Sequence, residues 1–413
     1  MGINGFYSLF SECSIEKYSS ELKGNVVLID IFFILNKYGI GIRTGGDDMK
    51  NKKGEVISHL YAIIKYTVGL LEKGIMPFYV FDGKAPNSKS HTIAKRRRNK
   101  YLSREKCISI TDKTSSEWIK YFKRLYSISN DSIEDCKKLL NLMGIPWIQS
   151  IEEADSQCAV LAYMFPDIIS GVVTDDSDIL IYGAPRIYKN FNPKDTKMQE
   201  ITHESVIWSF FQKLNYALVE NGKTPIAYDY QFLRDKLIEF CILLGCDYNS
   251  SRQYIKKQSM VDTAREIMSI YVKANMNIME FPRIARKSHL LIHENFILDF
   301  YRVKGEYLHA NVIVPNRNYI KLSEPNILEL KRYISDKMGY DFDDVNKIVN
   351  IIDNGYNIFD EMHSVNSQQN TQGFKHFKTY RYKYVRNKRE ETRCQDQRMK
   401  YIPYPRNHIA VAS

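Results

Sequence analysis

No apolar run in the chain approaches the roughly 18 residues that a membrane span needs, and the longest is interrupted by Asp30. The opening segment MGINGFYSLFSECS has no basic stretch ahead of an apolar one, so no secretory signal is expected. A myristoylation signal is excluded because Phe6 stands where Ser or Thr is required. Cysteine is scarce. The seven present form no C-x-x-C pair and no Cys/His spacing of a zinc site, which argues against a zinc module and for a reducing compartment. Acid is in deficit, 48 Asp and Glu against 59 Lys and Arg, and the net charge of +11 favours a polyanionic partner such as nucleic acid.

What is present is an ordinary globular composition, 44% hydrophobic and 26% charged, in 413 residues. That length suits one large core, or a main domain with a smaller one. The abundance of Ile, Asn, Lys and Tyr points to an AT-rich genome. Three short runs rich in β-branched or aromatic residues predict strands: NVVLID ending at Asp30, MPFYVFDG reaching Asp82, and GVVTDDSD reaching Asp176 and Asp178. Helical periodicity fills the stretches between them, over Val56 to Leu71, Ser132 to Met143 and Asp155 to Met164. Alternating strand and helix predict an α/β fold, a central and mostly parallel twisted sheet flanked by helices.

Between the second strand and the helix at Asp155 lies an excursion of basic and helical sequence. Lys84 to Lys106 holds nine Lys and Arg against one Glu, and SSEWIKYFKRLYS follows it. After Asp247 the pattern is mainly helical, through MVDTAREIMSIYV and PNILELKRYISDKMG. The last fifty or so residues lose periodicity; Phe374 to Arg389 carries seven basic residues, five aromatics and no acid. The boundaries expected are a core over 1–250 with the basic excursion at about 84–130, a helical region over 251–363, and a basic-aromatic tail over 364–413.

Ligands of parallel α/β sheets bind at the carboxyl ends of the strands, and all three predicted strands end in Asp. Continued strand geometry at GVVTDDSD would put Asp176 and Asp178 on one face and Asp175 on the other. Glu153 and Asp155 open a helix, and Asp247 ends the apolar run CILLGC. Taken singly, an Asp at a strand end is a common helix cap or turn former, and first-turn acids suit a helix dipole. Taken together, seven converging carboxylates would repel by about 1–4 kcal/mol per neighbouring pair. Cations would relieve that repulsion, and all-oxygen ligation selects Mg²⁺ or Mn²⁺ over zinc.

These residues resemble the motifs of the flap endonuclease family of structure-specific 5′ nucleases. MGINGFYSLF is similar to the family's M-G-I-x-G-L opening, VVLID to the strand carrying its first Asp, and YVFDGKAP to Y-V-F-D-G-K-P-P. EEADSQC resembles E-A-E-A-x-C, TDDSDILIYGAP resembles T-E-D-x-D-x-L-x-F-G-x-P, and CILLGCDY resembles C-I-L-L-G-x-D-Y; DCKKLLNLMGIPW also matches. The resemblance is strong to about residue 250 and faint beyond. It implies a PIN-like 5′ nuclease core with a helical arch. It further implies two Mg²⁺ ions, replaceable by Mn²⁺, held by or near Asp30, Asp82, Glu153, Asp155, Asp176, Asp178 and Asp247. Lys89 and Arg96 would be catalytic, and Gly2, Arg43, Lys95, Arg97, Arg98, Lys256 and Lys257 would contact DNA. The partners implied are DNA flaps, branches and free 5′ ends, with no membrane. Trp118, Tyr121 and Phe122, at helical spacing, are expected in the core rather than as platforms for bases.

The chain departs from the family pattern in four places. Asp155 stands where Glu is usual, which shortens the reach by about 1.5 Å. Asn36 replaces a Tyr, with Tyr38 nearby. NSSRQYIKKQSMVDTA replaces a glycine-containing hairpin that binds K⁺ in the family. The tail lacks a recognisable sliding-clamp motif. This combination most resembles the flap-endonuclease-like nucleases of poxviruses, which implies DNA recombination, break repair and genome maturation in host cytoplasm, or a nuclear location if the chain is cellular. The alternatives are a Holliday-junction-resolving relative and a catalytically weak DNA-binding scaffold.

Overall fold

The computed structural model describes residues 2–248, 259–288, 292–364 and 378–381. Seven strands build its main sheet: β1 (Ser14–Tyr18), β2 (Val26–Asp30), β3 (Met76–Phe81), β4 (Trp147–Gln149), β5 (Ile169–Val173), β6 (Arg186–Lys189) and β7 (Lys197–Thr202). Their spatial order is β1-β7-β6-β5-β2-β3-β4, parallel from β6 through β4 and antiparallel at the two β7 pairings. Every residue of β3 is buried, as are Val26 to Ile29 of β2. Strands covered on both faces have no solvent side, so they read as continuous apolar runs rather than alternating ones.

The connections are helical. After α1 (Phe6–Leu9), β2 leads to β3 through α2 (Ile31–Ile42) and α3 (Ser58–Leu71). From β3 the chain makes its long excursion through α4 (Ser90–Ser109), α5 (Ser116–Arg124) and α6 (Asn130–Leu142) to β4. It then crosses back by α7 (Ala154–Met164) to β5, and one turn, α8 (Asp178–Ile181), leads to β6. Beyond β7 come α9 (His203–Glu220), α10 (Tyr230–Leu244), α11 (Met260–Lys273), α12 (Phe281–Lys287), α13 (Phe296–Leu308), α14 (Ile327–Tyr333) and α15 (Phe342–Ser364). A small ribbon pairs β8 (Asn311–Val314) antiparallel with β9 (Lys378–Arg381). Side-chain caps fix many helix starts: Asp30 accepts from Phe32 N, Thr202 from Ser205 N and Ser259 from Asp262 N.

This topology positions a crevice. From β2 the chain goes to β3 on one side, yet β5, reached from β4, sits on the other side of β2. The strand order therefore reverses between β2 and β5, and loops leaving their carboxyl ends part in opposite directions. Asp30 lies at that end of β2, and Asp176 follows β5 by three residues.

The α/β class and the three predicted strands are found. Four strands of the main sheet and the β8–β9 ribbon lie outside that prediction; in the sheet, β4 is only three residues long and β1, β6 and β7 alternate or carry charge. The reading of TDDSD as continued strand is corrected. β5 stops at Val173, Thr174 Oγ1 accepts from Asp176 N at 2.9 Å, and Asp176 Oδ1 accepts from Asp178 N at 3.0 Å. These local bonds compete with the ladder and turn the chain, so Asp176 and Asp178 owe their proximity to a turn. Asp175 faces elsewhere and accepts from Asn190 N at 2.9 Å. Among the described residues no helix is long and apolar enough to cross a membrane.

Candidate active site

The seven predicted acids come together around the crevice. Asp30 caps α2, accepting from Phe32 N at 2.8 Å. Asp82 follows β3 and accepts from Ala154 N at 2.8 Å, which ties the end of β3 to the start of α7. Gly83 makes that approach possible: a Cβ there would lie 2.2 Å from Ser150 O and 2.4 Å from Ile151 O. Glu153 and Asp155 flank the first residue of α7, Asp176 and Asp178 occupy the turn after β5, and Asp247 follows α10. Gly2 closes one side. Its φ is +80°, and a Cβ would meet Asp176 Oδ1 at 2.3 Å, so the N-terminal segment fits against the acids only without a side chain.

Two basic residues at the foot of the excursion enter this acidic group. Lys89 is buried, with Nζ 2.6 Å from Glu153 Oε1 and 4.6 Å from the centre of the Tyr248 ring. Arg96 Nη2 donates to Asp247 Oδ2 at 2.7 Å, and Thr92 Oγ1 donates to the Asp247 carbonyl at 2.7 Å. Desolvation works against the Lys89 charge, but Glu153, Asp155 and Asp178 outweigh it and push its pKa up. Removing one partner of such an enclosed pair would leave the other charge uncompensated, at a cost of about 3–5 kcal/mol.

The acids are electrostatically crowded. Asp176 and Asp178 are buried; water still reaches Asp30 and Asp155, but protein atoms enclose them. Desolvation raises the pKa of Asp30, Asp155 and Asp178 well above the usual carboxylate range. Repulsion adds to it, from Asp82 on Asp30 and from Asp176 on Asp155 and Asp178. Asp82 is exposed to the crevice.

Beneath the acids lies a group of tyrosines to which sequence reasoning gave no role. Tyr248 OH donates to Glu153 Oε2, and the Tyr182 and Tyr248 hydroxyls share a hydrogen bond. Tyr307 OH donates to Asp178 Oδ1 at 2.9 Å. Tyr182 lies in TDDSDILIYGAP and Tyr248 in CILLGCDY, where nothing in the spacing marks either; Tyr307 has no sequence signal. Tyr7, beside Asp176, carries no sequence signal either: among the described residues its buried hydroxyl has no hydrogen-bond partner, and Lys189 Nζ lies 3.9 Å from its ring centre.

The residues predicted to contact DNA divide. Lys95, Arg97 and Arg98 are exposed along α4. Arg43 is engaged: Nε and Nη2 donate to Asp48 at 2.7 and 2.8 Å, Nη1 donates to Phe122 O, and the guanidinium lies 4.4 Å from the Phe122 ring centre. It thereby fastens α5 to the loop after α2. Trp118 and Phe122 stack on each other, centroids 4.7 Å apart, but no residue of α5 is buried, so the expected core placement is corrected to packing at the surface. Tyr38 packs edge-on against Tyr66, whereas Asn36 is exposed. Lys256 and Lys257 lie outside the described residues, as does most of the basic-aromatic tail; Lys378–Arg381 of that tail forms β9.

The donor chemistry suits a hard divalent ion, since every candidate ligand is a carboxylate oxygen. Among the described residues, no three acidic, His or Cys side chains close around one point as a complete cage. Magnesium does not need one: it keeps several waters and takes one or two carboxylates, with substrate oxygens completing its shell. Asp30, Asp82, Asp176 and Asp178 each anchor one oxygen on a protein donor, which fixes the carboxylates in place.

Comparison with known proteins finds related sequences and a shared fold. Residues 1–102 match the XPG N-terminal domain and residues 144–247 the XPG I-region. The chain is 31% identical over 298 residues to flap endonuclease 1 of Zea mays, covering 68% of this chain and 72% of that protein. The catalytic core of Rad2 in complex with DNA substrate superimposes with a TM-score of 0.58 at 20% identity, over 85% of this chain and all of that one. The Holliday junction-resolving enzyme GEN1, in complex with product DNA and a Mg²⁺ ion, gives a TM-score of 0.53 at 14% identity, over 88% of this chain and 80% of that one.

Proposed function

The chain belongs to the flap endonuclease family of structure-specific DNA nucleases, and from that premise we propose that it is a Mg²⁺-dependent 5′ flap endonuclease and 5′-3′ exonuclease. The observation that carries the proposal is the meeting of seven acids at the sheet's reversal point, with Lys89 and Arg96 of a basic excursion lodged among them. Asp30, Asp82, Asp155, Asp176 and Asp178 would hold the metal, with Glu153 and Asp247 supporting. When bound, Mg²⁺ supplies Lewis acidity and neutralises charge on the phosphodiester.

The chain's own groups do the rest. Lys95, Arg97 and Arg98 track the phosphates of a single strand, which gives affinity without base readout. Lys89 and Arg96 exchange their carboxylate partners for oxygens of the scissile phosphate. Each thereby keeps an anionic partner as negative charge develops on the phosphate.

Two finer readings concern the setting and the substrate. The viral setting, with recombination, break repair and genome maturation in host cytoplasm, is supported by the divergent second half and the AT-rich composition. The junction-resolving reading is supported by the fold shared with GEN1. A panel of end-labelled 5′-flap, nicked, gapped and four-way DNA separates the activities. The expected result is cleavage at the flap base in Mg²⁺ and none in EDTA. For Asp176→Ala and Asp178→Ala, no cleavage is expected while DNA binding in Ca²⁺ persists. Undiminished cleavage by both variants would overturn the catalytic assignment, and symmetric resolution of four-way DNA in preference to flaps would favour the resolvase.

A further inference from the structure

The residue that fixes Asp178 comes from a part of the chain that neither matched domain includes. Tyr307 lies on α13, beyond the segments 1–102 and 144–247, and is 129 residues from the acid it touches. Both side chains are about 1% exposed, so no solvent substitutes for the bond between them. A buried carboxylate oxygen without a donor is costly, and Tyr307 supplies that donor to Oδ1 at 2.9 Å. Asp178 is in turn joined to Asp176 through its backbone N–H, so the rotamer of one acid constrains the turn that presents the other.

The same turn of α13 reaches the foot of the excursion. Glu306 Oε1 accepts from Ser88 Oγ at 2.9 Å, and Ser88 precedes Lys89. Just past α13, Asn311 Nδ2 donates to Glu152 at 2.6 Å, and Gln157 bonds both backbone groups of Ile313. Helix α13 and strand β8 thus press against both acid-bearing turns. Only Tyr307, among these contacts, touches a candidate metal ligand.

We infer that Tyr307 is a positioning residue whose hydroxyl holds Asp178 in the orientation that binds the divalent ion. The inference rests on the metal-dependent reading given above. Outer groups that hydrogen-bond a metal ligand commonly set affinity by about 10–100-fold, which fixes the size of the expected effect.

The test is Mn²⁺ binding to the full chain without DNA, followed by electron paramagnetic resonance, with metal-free melting and circular dichroism alongside. Tyr307→Phe should weaken Mn²⁺ binding by about tenfold or more while keeping the wild-type dichroism spectrum. Glu306→Gln, which alters the neighbouring contact of the same helix, should bind Mn²⁺ like the wild type. Replacing Tyr307 with 4-aminophenylalanine restores a donor on the same ring and should recover most of the affinity, even if the Phe variant proves unstable. Wild-type binding by Tyr307→Phe, equal losses in Glu306→Gln, or failure of the amino analogue to exceed the Phe variant would each overturn the inference. A wild-type chain whose Mn²⁺ signal is unaffected by Asp178→Ala would instead overturn the metal reading itself, and this inference with it.

Discussion

Gly2 is the smallest element of the account and among the least replaceable. Its φ of +80° and the 2.3 Å that would separate a Cβ from Asp176 Oδ1 leave an L side chain both strained and obstructed. Gly2→Ala should cost about 1–2 kcal/mol in backbone strain, and displacement of Asp176 should slow single-turnover cleavage by about 10²-fold. Quenched-flow measurement on a 5′ flap at saturating Mg²⁺ checks this; a wild-type rate would contradict the close approach. His203 supplies a second prediction, remote from the site. Its ring is buried with, among the described residues, no hydrogen-bond partner on either nitrogen, and burial, with Arg234 nearby, holds its pKa at about 3. An unfolded imidazole protonates near 6.5, so between about pH 6.5 and 3 the unfolded chain binds more protons. Stability therefore falls on acidification, by up to about 1.4 kcal/mol per pH unit. His203→Phe should lose about 1 kcal/mol less than wild type between about pH 7.5 and 5.5, read from urea unfolding. Equal losses would show that the histidine is accessible to protons.

At the scale of elements, α4 is anchored at its foot to the acids, packs against α5 farther along and keeps a basic face exposed. Lys89, Thr92 and Arg96 attach it to Glu153 and Asp247, whereas Lys95, Arg97 and Arg98 stay exposed. Replacing those three with Ala should reduce the log–log salt slope for single-stranded flap binding by about 2, from about 0.7 per phosphate contact. Fluorescence anisotropy from low to moderate salt measures the slope, and an unchanged slope would remove α4 from the strand's path. The legibility of these elements followed their burial. β2, β3 and the apolar part of β5 could be read because central parallel strands are continuously apolar, and α7 because its acids and apolar residues keep helical spacing. β4, three residues long, offered too little pattern, and TDDSD imitated strand alternation while its side chains made a turn. Tyr307 could not be read at all. Its meaning depends on a contact across 129 residues, made by a helix whose own sequence shows only amphipathic spacing.

At the scale of the molecule, one topological event gathers the site. Because β5 returns to the far side of β2, the acids at or just beyond the ends of β2, β3 and β5 face one crevice, α7 and α10 bring the remaining acids, and α13 brings Tyr307. The basic excursion covers the same opening, and the net charge of +11 supplies a field that favours DNA. The central claim is that the gathered carboxylates bind divalent ions. Anomalous diffraction from crystals soaked in Mn²⁺ tests it most directly. The account expects anomalous peaks among Asp30, Asp82, Asp155, Asp176 and Asp178, lost in Asp178→Ala crystals. Mn²⁺ peaks confined to other parts of the surface, with this crevice empty at saturating metal, would contradict it.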